Sequence, residues 1–172
     1  MKSVLVALAL VLAVNPAFAG GKKGAGKKQE VGKPVDPNAV LAKTHGGKVW
    51  VLSGMPSAVE GEELGKWLSA RPTNAELSKK GSEDRWPCTL LAVFKSPPAK
   101  GHITIRVVDK KDPKAIVEEY SSQTIGTSMV FQEFYEPDGG NGFNKGHTYT
   151  VMVGQLIKNK FVSYASGDVT LK

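Results

Sequence analysis

One cysteine, Cys88, occurs in 172 residues, so no internal disulfide can staple this chain and stability must come from a packed core. Three histidines are present, His45, His102 and His147, and no two of them stand in a His-x-His or His-x-x-x-His spacing. That leaves scattered surface histidines as the reading, not a metal site. No Gly-x-Ser-x-Gly elbow, phosphate loop or dinucleotide fingerprint exists; Ser53-Gly54 has no motif around it. The apolar run Val4 to Val14 falls short of the ~20 residues a membrane-spanning helix needs. No later segment is longer or more apolar. The expected catalytic residues, cofactors and metal ligands are therefore none.

The short apolar run is instead read as a targeting segment. Lys2 precedes it, Asn15-Pro16 breaks it, and Ala17-Phe18-Ala19 supplies a small-x-small cleavage pattern. The expected organisation is a signal peptide over 1–19, a disordered Lys/Gly/Pro-rich tail and linker over 20–42, and one domain over 43–172. Location is then periplasmic or extracellular, with no transmembrane segment.

The formal charge of +7 invites a nucleic-acid reading, and its distribution argues against one. Lys2 accounts for one unit. Lys22, Lys23, Lys27, Lys28 and Lys33 against Glu30 account for four, which leaves +2 from Pro34 onward. The basic excess belongs to a tail with almost no apolar surface to bury. Such a tail is a solvated spacer, or a tether to another envelope protein, an anionic polymer or a membrane surface.

The rest alternates between short apolar runs and turn signals. Lys48–Leu52 reads as a strand. Val59–Ser69 reads as a helix, with Leu64, Trp67 and Leu68 on one stripe and a Ser57/Glu60 capping box. Asn74–Arg85 reads as a loop. Strands follow at Thr89–Lys95, His102–Val108, Lys114–Ser121 and Ser128–Tyr135. On His102–Val108, Ile103, Ile105 and Val107 point inward while Thr104 and Arg106 face water. Tyr149–Leu156 and Phe161–Ser166 make a hairpin around Lys158-Asn159-Lys160, and Gly167 is placed to bulge the last strand. Trp50, Trp67 and Trp86 are assigned to core where helix meets sheet; a carbohydrate platform would need two of them exposed. Adjacent Glu62-Glu63 and Glu118-Glu119 point in different directions and make no acid/base pair. Asp138-Gly139-Gly140-Asn141-Gly142 is oxygen-rich like a calcium loop, yet it lacks the closing glutamate and suits any tight turn.

The most specific motif is Phe143-Asn144-Lys145-Gly146-His147-Thr148-Tyr149. A glycine stands three residues before a tyrosine that opens an alternating run through Val151 and Val153. This is the spacing of a tyrosine corner, in which the tyrosine bonds the backbone of the preceding turn. On Phe143, Gly146, Tyr149, Val151, Val153 and the hairpin that follows, Thr89–Lys172 resembles a fibronectin type III or immunoglobulin-like domain. The resemblance implies a mainly β, antiparallel β-sandwich with one short N-terminal helix, and a binding or spacer module without catalytic residues. Two other functions compete with a binding module. One is an enzyme or metal-dependent protein assembled from dispersed residues, with Cys88, His102 and His147 as candidates. The other is a structural subunit that polymerises through an exposed strand.

Overall fold

β1 (Lys48–Leu52) and β3 (Cys88–Val93) pair antiparallel, and almost every side chain on them is apolar and buried. Such runs are what strands buried on both faces look like in sequence. The computed structural model, which describes residues 37–54, 59–125 and 128–172, shows what lies on each face. Val49, Val51, Cys88, Leu90 and Ala92 enter the main core. Trp50, Leu52, Leu91 and Val93 point the other way, into a smaller core beneath two helices.

These helices are α1 (Leu41–His45) and α2 (Gly61–Ser69), preceded by a 3-10 turn at Pro37–Val40. The linker expected through Ala42 therefore gives way at Pro37. Leu41 is buried against α2, and His45 Nε2 stands 3.0 Å from the Gly65 carbonyl, so tertiary packing overrides the proline-bearing local sequence. Ser57 lies outside the described residues. Glu60 is itself the N-cap of α2 and makes no side-chain cap bond; the Gly61 amide donates instead to Asn38 Oδ1 at 3.0 Å. Leu64 and Leu68 are buried, and Arg71 stacks 3.5 Å over the half-buried Trp67.

The remaining strands are β2 (Asn74–Leu77), β4 (Gly101–Asp109), β5 (Asp112–Ile125), β6 (Val130–Tyr135), β7 (Thr148–Ile157) and β8 (Lys160–Leu171). They form one curled sheet in the order β5-β4-β7-β8-β1-β3-β6, with β2 also paired to β8. The sheet is mixed, not purely antiparallel, because β8 runs parallel to both β1 and β2. Part of the expected loop at Asn74–Arg85 is thus a strand, recruited as a third neighbour of β8 beside β7 and β1.

The curl brings Ile103, Ile105 and Val107 of β4 and Val151 and Val153 of β7 into the same core as β1, β3 and β6. Its two edges meet through side chains. Tyr120 of β5 stacks on Tyr135 of β6 at 5.9 Å, the Tyr135 hydroxyl donates to Glu118 at 2.5 Å, and Ser122 donates to Glu133. Thr104, expected in water, is buried between Ser121 and Gly154 on the flanking strands. Arg106 is not left to water either: it pairs with Glu119 and lies 4.3 Å over the Phe161 ring.

Two glycines set the geometry of β8 and its partner. The irregularity falls between Val153 and Gly154, not at Gly167, which pairs regularly with Val151. Gly167 serves close approach: a Cβ there would sit 2.1 Å from the Val49 carbonyl oxygen. It lies where β8 leaves β1 after Ser166 and takes up β2 at Asp168.

Candidate functional site

Strand directions give the sheet two ends, and the sequence candidates on its strands and turns can be placed by them. At one end lie the starts of β3, β5 and β7 and the finishes of β1, β2, β4, β6 and β8. Tyr149 sits here, fully buried, and its hydroxyl oxygen accepts from the Asn144 amide at 2.6 Å. Phe143 packs 5.0 Å from the Tyr149 ring. Gly146 takes φ 80°, a left-handed conformation that glycine adopts without steric cost, and its amide donates to the Leu171 carbonyl at 2.7 Å. The turn before β7 is thereby tied to β8.

His147 is half-buried, not exposed: its Nδ1 bonds Asp109 Oδ2 at 2.6 Å, with the ring stacked on Tyr149. Burial works against ionisation of Asp109. The His147 bond, the Lys111 amide and their charges outweigh it, and the carboxyl is held below its ordinary 3.8. His45 is likewise no surface histidine; it is buried between α2 and Trp50, with Nδ1 unpartnered. His102 heads β4 at the opposite end of the sheet, beside the Ser122 carbonyl.

Cys88 is buried, and its thiol donates to the Tyr135 carbonyl at 3.2 Å. Burial, with a smaller push from the Glu136 charge, raises its pKa to about 12. A neutral thiol is a weak nucleophile and a weak metal ligand. Cys88, His102 and His147 thus bond three separate partners, and no cluster of three metal-ligating side chains occurs among the described residues. Asp138 is committed to its own turn. Oδ1 accepts from the Gly140 amide at 2.8 Å and Oδ2 faces Arg85 at 3.4 Å. Trp50 and Trp86 are buried and donate to the carbonyls of Arg71 and Lys172. The tail lysines Lys22, Lys23, Lys27, Lys28 and Lys33 lie outside the described residues.

The surface feature that sequence reasoning missed is at the other end of the sheet. No Asp or Glu occurs between Asp84 and Asp109, nor between Asp138 and Asp168. These two stretches build β3, β4, β7 and most of β8. They are antiparallel hairpin partners or connected strands, so their acid-free loops converge where β1, β4 and β8 begin. Lys48, Lys95, Lys100, Lys158 and Lys160 gather there. Among the described residues none of them pairs with a carboxylate. Lys95 shares a cleft with Ser163–Ser166 of β8, and Lys100 shares another with Leu156–Lys158. Leu156, Ile157 and Val162 are 46%, 43% and 39% exposed at the same end. The signal was present as two acid-free stretches, but only the topology shows that they meet.

Among the described residues no helix is long and apolar enough to cross a membrane. No family model, curated protein or solved structure matches the chain.

Proposed function

We propose that this chain is an exported, non-enzymatic binding module whose partner is an anionic surface or polymer of the cell envelope. The observation that carries this reading is the lysine-rich, carboxylate-free end of the sheet. Charges that stabilise a fold are placed beside opposite charges, as at the other end. Five lysines facing solvent, with no carboxylate partner among the described residues, repel one another and add nothing to folding, whereas a polyanion would neutralise them together. The tail lysines Lys22, Lys23, Lys27, Lys28 and Lys33 would add a second tether.

The architecture we assign to the module is a β-sandwich of the immunoglobulin or fibronectin type III kind. Residues of β1, β3, β4, β6, β7 and β8 share the main core of the curled sheet, and together with the Asn144–Tyr149 bond this supports that assignment. β8 then serves as the strand through which the two halves stay continuous.

The test is retention on an immobilised soluble polyanion such as dextran sulfate, over a salt series. Lys48→Gln/Lys95→Gln/Lys100→Gln should elute at clearly lower salt than the parent, with an unchanged melting curve. Elution of both at the same salt would remove the folded domain from the binding reaction and leave only the tail.

A further inference from the structure

We propose that the tip of the β7–β8 hairpin inserts into the headgroup layer of an anionic phospholipid membrane and docks the protein there. This rests on the anionic-partner reading above and specifies its partner. The argument starts from strand pairing. The last β7 residue paired to β4 is Gly154, opposite Thr104. The first β8 residue paired to β1 is Ser166, opposite Lys48. Between these points the hairpin pairs only with itself. It is a two-stranded ribbon flanked on one side by Ala99–His102, where the Gln155 amide donates to the carbonyls of Ala99 and His102, and its tip residues line the cleft beside Lys100.

Side chains alternate on such a ribbon. Leu156 is opposite Phe161, while Gln155 is opposite Val162 and Ile157 opposite Lys160. Leu156 and Phe161 therefore share one face, and Ile157 and Val162 share the other. Phe161 is partly covered by Arg106; Leu156, Ile157 and Val162 are exposed. A protein groove would cover one face of the ribbon and leave the other in water. A lipid headgroup and acyl boundary surrounds both faces at once.

The reach and the charge agree with that environment. From Gly154 to Ile157 the ribbon extends by about 10 Å at ~3.3 Å per residue. Apolar faces of interfacial elements are buried to roughly 5–10 Å. Lys158 and Lys160 flank the apolar residues, with Lys95 and Lys100 nearer the base. Their long stems can lie along apolar surface while the ammonium groups reach phosphate. The turn adds an independent mark. Lys158 and Asn159 take φ of 50° and 61°, and Lys158 occupies a position that Asn or Gly fills without strain. A lysine held in that conformation puts a charge at the tip at a cost to the fold, as strained residues at working sites do.

The experiment is flotation of the full chain with phosphatidylglycerol/phosphatidylethanolamine vesicles and with neutral phosphatidylcholine vesicles, alongside binding to dextran sulfate in solution. Every variant is made in the same background, so the N-terminal region contributes equally throughout. Leu156→Ser/Ile157→Ser should lower partitioning to anionic vesicles by tenfold or more and leave dextran sulfate binding unchanged. Lys158→Gln/Lys160→Gln should lower both, by about fivefold per lysine for vesicles. Ile157→Trp should show a blue-shifted emission on anionic vesicles beyond any change in the parent.

If Leu156→Ser/Ile157→Ser binds anionic vesicles like the parent, insertion is refuted while the anionic-partner reading stands. Loss of parent binding to vesicles and dextran sulfate alike would sink both. Equal partitioning to neutral vesicles would overturn the role of the lysines. If a concentration-dependent dimer without lipid is dissolved by Leu156→Ser/Ile157→Ser, the occupant is a second copy and the lipid proposal fails.

Discussion

The two ends of the curled sheet are built from the same strands and treat charge in opposite ways. At the tyrosine-corner end, several cations have local partners. Lys110 meets Asp168 at 2.6 Å, Lys172 meets Glu76 at 3.1 Å, Arg85 lies near both Glu83 and Asp138, and His147 bonds Asp109. Buried aromatics sit directly beneath, with Phe143 between Tyr135 and Tyr149. At the hairpin end the lysines pair with no carboxylate among the described residues, and apolar side chains project into solvent. Interactions that hold the fold are concentrated at the first end. Surface that the fold leaves unsatisfied is concentrated at the second. Substitutions at the two ends should separate stability from binding.

The largest effect is expected at Tyr149. Tyr149→Ala removes a fully buried ring and the acceptor for the Asn144 amide. A cavity of this kind costs ~3–5 kcal/mol. Tyr149→Phe loses the hydroxyl alone and should cost ~1–2 kcal/mol. Chemical denaturation measures both. A Tyr149→Ala protein as stable as the parent would break the contrast between the ends, because the corner would then hold nothing.

Next comes Gly167, midway along β8. A Cβ there would overlap the Val49 carbonyl, so Gly167→Ala must push β1 away from β8. Overpacking of this sort costs ~1–3 kcal/mol. The damage should appear as faster amide exchange in β1 and β2 before β4 and β7, whose mutual pairing lies on the side of β8 away from Val49. Uniform loss of protection across all strands would mean that β8 does not divide the sheet into separable halves.

A smaller effect is expected from Asp109→Asn, and its sign depends on pH. The folded-state pKa of Asp109 lies below 3.8, so the ionised carboxylate stabilises the folded state. That contribution is complete above the unfolded pKa and disappears as the pH falls through the folded value. Asp109→Asn should therefore lose roughly 0.5–1 kcal/mol near neutrality, in the range of partly exposed ion pairs, and approach the parent as the pH falls through the folded value. A constant difference across this window would assign the effect to packing and not to charge.

Different physical causes decided what could be read from residues alone. Period-two alternation at Ile103, Ile105 and Val107 located β4 because one face of that strand is core. The Tyr149 turn was legible because its hydroxyl bond to the Asn144 amide is local, spanning five residues. β2 was not legible, since Asn-Ala-Glu-Leu has little strand character and exists only because β8 offers a parallel edge. The helical start at Pro37 was hidden for the same reason: Leu41 and His45 are ordered by α2, which lies some twenty residues away. The tail lysines drew attention as a run in sequence. The lysines of the hairpin end are spread from Lys48 to Lys160 and become a patch only through the order of the strands.

The smallest effect is expected at Lys158, and there the two properties should move in opposite directions. Its φ of 50° is the left-handed region that L side chains adopt at some cost, and asparagine tolerates it best among the non-glycine residues. Lys158→Asn keeps a polar turn, relieves the strain and removes one charge from the tip. Stability should rise by a few tenths of a kcal/mol, up to ~0.5, because the side chain has no ion pair to lose. Retention on dextran sulfate and on anionic vesicles should fall. Urea denaturation and flotation on the same preparation measure the pair. A variant that gains stability and keeps its binding would show that Lys158 is merely an imperfect turn residue. A variant that loses stability would show that the turn needs a lysine contact in the folded chain, and the division between the holding end and the binding end would have to be redrawn at the hairpin tip.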